Sequence, residues 1–219
     1  MKPKLIIFDL DGTLLDTIDN LKEAVNHAMG LRGFPTFRRN EVMAMVGHGA
    51  RNLMRQALPI GHKDDDMVDA AYNDFRAFYI SHIDTYTKPF PDIQDLLAKL
   101  HHEGVMLAVA SNKFQEGTEH LIKEFFSKIP FVAILGGRPG FPLKPDPEIV
   151  NEVLRKADVE KEDAVMVGDS DTDMETATNG GVMGIAVNWG YRNMSSVENL
   201  LVANSVEELF FFLKNYQIT

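Results

Sequence analysis

Two groups of acids carry the clearest chemistry in this chain. Asp9 and Asp11 lie in Phe8-Asp9-Leu10-Asp11-Gly12-Thr13, and Asp169 and Asp173 lie in Gly168-Asp169-Ser170-Asp171-Thr172-Asp173. Each group follows a short apolar run. Two carboxylates two residues apart on an extended chain end point to the same side, and Gly12 lets the backbone turn away. Acids so placed can act as nucleophiles, as general acids and bases, or as ligands of a hard cation. Between the groups stands Ser111-Asn112-Lys113, ahead of a helical pattern, where hydroxyl, amide and backbone N–H groups can hold phosphate oxygens. Lys144, in Lys144-Pro145-Asp146-Pro147, adds a compact positive charge. Asp146 and Asp171 read as helix-start acids rather than ligands.

The elements that must position these residues alternate. Strand-like apolar runs cover 4–8, 105–110, 131–135, 164–167 and 183–187, with helical periodicity over 93–103, 116–126, 147–157, 174–179 and 206–216. Such alternation predicts an α/β fold with a parallel sheet. In an open sheet of that kind ligands bind beyond the carboxyl ends of the strands, where all four chemical segments fall. Residues 16–86 break the rhythm. Leu21, Val25, Ala28 and Met29 keep helical spacing, as do Leu53, Met54, Ala57 and Leu58, then Val68, Ala71, Phe75 and Phe78. This predicts an all-helical insertion after the first strand, closed by the prolines of Lys88-Pro89-Phe90-Pro91-Asp92.

Bulk properties narrow the function classes. The 219 residues carry a formal charge of −10, which argues against nucleic acid or an anionic membrane as the main partner. With no cysteine, thiolate chemistry and disulfides are excluded. No run of about 18 apolar residues exists, and the start of the chain does not read as a signal peptide. The expected address is the cytoplasm, and oligomeric state is not encoded legibly.

The four segments, in this order, resemble the motifs of the haloacid dehalogenase superfamily of phosphatases, and the likeness extends over the whole chain. It implies a Rossmann-like core of residues 1–15 and 87–219 with a helical cap of residues 16–86. Val46-Gly47-His48-Gly49-Ala50, followed by Leu53 and Leu58, is similar to the cap segment of phosphoglycolate phosphatases within that superfamily. The resemblance implies Asp9 as nucleophile and Asp11 as general acid and base. It places Thr13, Ser111, Asn112 and Lys144 on the phosphate, with Mg²⁺ held by Asp9, the Asp11 carbonyl and Asp169. Asp173 is then a further ligand or the acceptor that orients Lys144. Electrostatics agrees, because two unit charges 4 Å apart repel by about 4 kcal/mol at an effective dielectric of 20. Several carboxylates and a phosphate therefore need a cation, and oxygen ligands point to Mg²⁺. His48 and Arg51 are the candidates for contacting the rest of the substrate. The expected reaction is hydrolysis of a small phosphate monoester, phosphoglycolate first, with sugar phosphates, nucleotides or a β-phosphoglucomutase-like transfer as alternatives.

Overall fold

The computed structural model describes residues 2–196 and 200–215. They form a six-stranded parallel sheet in the order β5-β4-β1-β6-β7-β8. The strands are β1 (Leu5–Phe8), β4 (Met106–Phe114), β5 (Phe131–Gly137), β6 (Ala164–Gly168), β7 (Met183–Val187) and β8 (Leu201–Ala203). A two-residue ribbon, β2 (Leu15–Asp16) against β3 (Lys88–Pro89), is antiparallel. The helices are α1 (Ile18–Gly30), α2 (Arg39–Met45), α3 (Ala50–Ala57), α4 (Asp65–Ser81), α5 (Ile93–His102), α6 (Gln115–Phe126), α7 (Glu148–Ala157), α8 (Asp171–Gly180) and α9 (Val206–Asn215).

β1 is Leu-Ile-Ile-Phe and buried throughout, as a parallel strand covered on both faces must be. Its alternate side chains feed two cores. Ile6 and Phe8 join Leu107, Val109, Val165 and Val167 on one face, while Leu5 and Ile7 join Ala108, Met166, Val150 and Val153 on the other. The register sets the functional edge. Phe8 stands level with Val109 of β4 and Val167 of β6, so Asp9, the Ser111 segment and Asp169 leave the sheet at one end.

Between β1 and β4 the chain runs through α1 to α4 without a strand until the β2–β3 ribbon closes the excursion. The four helices share an apolar interior that includes Val25, Val42, Leu53, Met54, Ala71 and Phe75.

The structure departs from the sequence reading at several points. β4 continues to Phe114, with a register irregularity between Ala110 and Phe114, so Ser111-Asn112-Lys113 lies within the strand and not after it. The junction residues 15–16 and 88–89 pair with each other, so Pro89 sits in an edge ribbon where no central ladder needs its N–H. α8 begins at Asp171, three residues ahead of the apolar run. α2 and the three-residue β8 were not anticipated, being too short for periodicity to register. Phe78 is only half-buried, stacked between His27 and His82, while Tyr79 takes the interior position. Tyr216, the expected last residue of α9, lies outside the described residues.

Candidate active site

Asp9 is the first residue beyond β1, and its backbone N–H donates to the Val167 carbonyl at 2.9 Å. This ties it to the end of β6. Its carboxylate faces a cavity of about 60 Å³ under α1–α4 and accepts from Lys144 Nζ at 2.8 Å. Burial raises the Asp9 pKa to about 6; Lys144 pulls it down, and the Asp173 charge pushes it up again. Lys144 also donates to Asp173 Oδ1 at 2.6 Å. Burial alone would discharge this lysine, but its two carboxylate partners, Asp173 foremost, outweigh that and hold its pKa above the ordinary lysine value. Asp173 is fixed from the other side, where its Oδ2 accepts from Ser170 N and Oγ at 3.1 and 2.6 Å.

Asp169, at the end of β6, is the third acid. Its Oδ2 accepts from the Tyr191 N–H at 2.6 Å and its Oδ1 from Thr13 Oγ1 at 3.4 Å. Burial drives its pKa well up, with the Asp173 and Asp9 charges adding to the effect. Gly190 lets the Tyr191 segment come so close: a Cβ there would lie 2.3 Å from the Asp169 Cβ and 2.4 Å from its Oδ2. Asp9, Asp169 and Asp173 each place a carboxylate oxygen within 4.8 Å of the others. One lysine faces three buried carboxylates, and two of the three resist ionisation. Such a cluster is short of positive charge, and its all-oxygen donors suit a hard divalent cation. The residues present therefore fit a divalent metal.

Asp11 faces a second buried cation, which sequence reasoning missed. Lys113 Nζ lies 3.1 and 3.2 Å from its two carboxylate oxygens, and the lysine side chain is 2% exposed. The ammonium also sits 4.3 Å from the Tyr79 ring centre. Thr17 occupies the N-cap position of α1 but makes no side-chain cap; its hydroxyl donates to Asp11 at 2.7 Å instead.

Two expected phosphate contacts are differently employed. The Asn112 amide donates to the carbonyls of Lys144 at 3.0 Å and Gly47 at 2.9 Å, while its oxygen accepts the Lys144 N–H at 2.8 Å. It fastens the Lys144 loop and is not free to bind a phosphate through its side chain. Thr13 is fully buried and turns its hydroxyl to Asp169. Ser111 lines the cavity, with its Oγ accepting from the Lys113 N–H at 3.3 Å.

The α1–α4 region brings Leu21, Val46, Ala50, Leu53 and Phe75 to the cavity, with backbone at Gly47 and Gly49. The expected contacts there need correction. Arg51 pairs with Asp69 at 2.6 Å and Asp65 at 2.9 Å on α4 and does not line the cavity. Ala50 and Leu53 occupy the inner face of α3, one turn apart, which turns Arg51 outward. His48 is exposed and does not line the cavity, although its neighbours Gly47 and Gly49 do. A core arginine, Arg192, does reach the cavity wall. It belongs to Trp189-Gly190-Tyr191-Arg192, a segment the sequence reading passed over although it follows β7 at the functional edge.

Comparison with known proteins agrees with this architecture. The haloacid dehalogenase-like hydrolase family model matches residues 6–187. A phosphoglycolate phosphatase of Mesorhizobium japonicum is 32% identical over 193 residues, covering 87% of this chain and 85% of its own. Phosphoglycolate phosphatase 1 of Pseudomonas aeruginosa is 34% identical, with 87% and 71% covered. A solved structure from Lactobacillus delbrueckii subsp. bulgaricus is 30% identical and superposes with a TM-score of 0.90 over 97% of this chain and 99% of its own. The motif order, the strand-end acids and these likenesses agree, and the chain belongs to the haloacid dehalogenase-like hydrolases.

Proposed function

We propose that this phosphatase hydrolyses phosphoglycolate, or an ester of similar size, in a Mg²⁺-dependent reaction that passes through a phosphorylated Asp9. The observation that carries the reading is the pairing of two acids with two buried lysines around one cavity: Asp9 with Lys144, and Asp11 with Lys113. Asp9 attacks phosphorus in line, and the ester oxygen leaves. Asp11, held by Lys113 and Thr17, gives that oxygen its proton and then takes one from the water that releases phosphate. Lys144 holds Asp9 in place and balances charge on the equatorial oxygens, while Asp173 fixes Lys144. A Mg²⁺ held by Asp9, the Asp11 carbonyl and Asp169, with Asp173 close by, would supply charge neutralisation for the transferring group. Thr13 keeps Asp169 in register.

Residues 16–86 serve in this reading as a cap that excludes water. Phosphoglycolate is favoured by the names of the relatives, since Arg51 and His48 offer it no contact here. The test is phosphate release from a panel of esters with Mg²⁺ and with a chelator. Phosphoglycolate should rank first and chelation should abolish turnover. A sugar phosphate or nucleotide preferred by a large factor would overturn the substrate, and full activity after exhaustive metal removal would overturn the metal.

A further inference from the structure

The segment Trp189–Arg192 joins the first motif, Asp169 and the end of α2 without supplying any of the reacting groups. Trp189 Nε1 donates to the Thr13 carbonyl at 3.1 Å, beside the first motif. The Tyr191 N–H holds Asp169, and the Tyr191 hydroxyl accepts from the Thr17 N–H at 2.8 Å, at the entry to α1. Arg192 then crosses to the cap. Its guanidinium donates to the carbonyls of Met43 at 2.8 Å, Ala44 at 3.1 Å and Val46 at 2.9 Å. Two of these carbonyls lie in the last turn of α2 and the third belongs to its C-cap. A helix end leaves such groups without intrahelical partners, and a cation there also meets the negative end of the dipole. α2 has no basic residue in its own last turn, so the core provides one.

The chain just beyond that grip forms part of the cavity wall. Val46, Gly47, Gly49 and Ala50 line the cavity. Gly49 lies so close to the core that a Cβ on it would stand 2.9 Å from Leu143. Asn112 holds the Gly47 carbonyl at 2.9 Å. The backbone of 43–47 is thus clasped by two core side chains, and both lead back to the site. Asn112 leads to Lys144, and Arg192, through its neighbour Tyr191, leads to Asp169.

We propose that Arg192 is a positioning residue that latches the cap shut over the phosphate site. It touches no reacting atom; it sets the share of molecules whose cap is closed. The apparent affinity of a site that exists only in the closed form falls in proportion to that share. Loss of the latch therefore acts on substrate binding rather than on the chemical step. The inference rests on the phosphatase reading for its kinetic arm but not for its structural one.

The test compares wild type with Arg192→Met, which keeps the apolar stem, and Arg192→Lys, which keeps the charge with one donor centre in place of the fork. KM for phosphoglycolate and the inhibition constant of inorganic phosphate should each rise at least about tenfold in Arg192→Met, with kcat within about threefold. Arg192→Lys should fall between the two. Hydrogen exchange over residues 39–50 should quicken in Arg192→Met while β6 and α5 keep their protection. KM and inhibition constant within about twofold of wild type would overturn the latch, whatever happens to the thermal midpoint. So would a loss confined to kcat, or unchanged exchange over 39–50. If wild type fails to turn over phosphoglycolate, the substrate reading falls, and the exchange measurement still decides the latch. If Arg192→Met does not fold, Arg192→Lys carries the same measurements.

Discussion

Ion pairs in two regions of this molecule look alike in distance and differ in everything else. At the strand ends Lys144 and Asp173 meet with side chains 2% and 1% exposed. On the cap surface Arg51 and Asp65 meet with side chains 44% and 75% exposed. In the first case water is excluded, the charges hold one another in place, and removal of one partner strands the others. In the second, water and salt do most of what the partner does. The contrast is one of burial, since solvent is excluded from the first pair and reaches the second.

The sharpest way to break that comparison is Lys144→Met. It leaves Asp9 and Asp173 without the ammonium they share, so activity should fall by about 10²–10³-fold or more. Breaking a buried pair costs on the order of 3–5 kcal/mol, so the thermal midpoint should fall as well. Wild-type-like turnover would mean that this pair is no more than a surface pair in disguise.

Lys113→Met should cost less, about tenfold to a hundredfold, because Asp11 keeps Thr17 as a second partner. The loss should be steeper for esters with poor leaving groups than for p-nitrophenyl phosphate. Equal losses on both would make Lys113 a packing residue.

A third effect concerns pH and metal together. Without metal, the Asp9 pKa is raised from 3.8 to about 6. The folded state then holds that proton more tightly than the unfolded chain does. The stabilisation is complete at low pH and is lost as pH rises through about 6. Mg²⁺ competes with that proton, so it should raise the thermal midpoint more at pH 7.5 than at pH 5, by calorimetry. A metal-induced gain that is equal or larger at pH 5 would contradict the acidic-cluster assignment.

The smallest effect belongs to the cap surface. Arg51→Ala should leave kcat/KM for phosphoglycolate within about twofold of wild type. A large loss specific to that carboxylate-bearing ester would bring Arg51 back to the substrate and erase the contrast.

The same contrast explains what was legible in the sequence. Asp9, Asp169 and the Ser111 segment follow or extend apolar runs whose ends a parallel sheet must align, so their shared edge could be read without coordinates. The role of Asn112 could not, because its partners are the backbone of Lys144 and Gly47, far away along the chain. Arg51 misled because a helix offers several faces. The signal was present, since the apolar spacing of Leu53, Met54 and Ala57 marks the inward face of α3 and Arg51 and Arg55 lie on another. Trp189–Arg192 lay at the end of a strand the periodicity did find, and the rule that located Asp9 applies there equally.

The central claim is that Asp9 carries the phosphoryl group. Acid-quenching the Mg²⁺-loaded enzyme within a few turnovers of phosphoglycolate, then mapping the peptides by mass spectrometry, tests it most directly. The account predicts one added phosphoryl group on the peptide that holds Asp9, labile to hydroxylamine as an acyl phosphate is, and absent from Asp9→Asn. Turnover with the phosphoryl group on another residue, or Asp9→Asn retaining even about a tenth of wild-type activity, would contradict it.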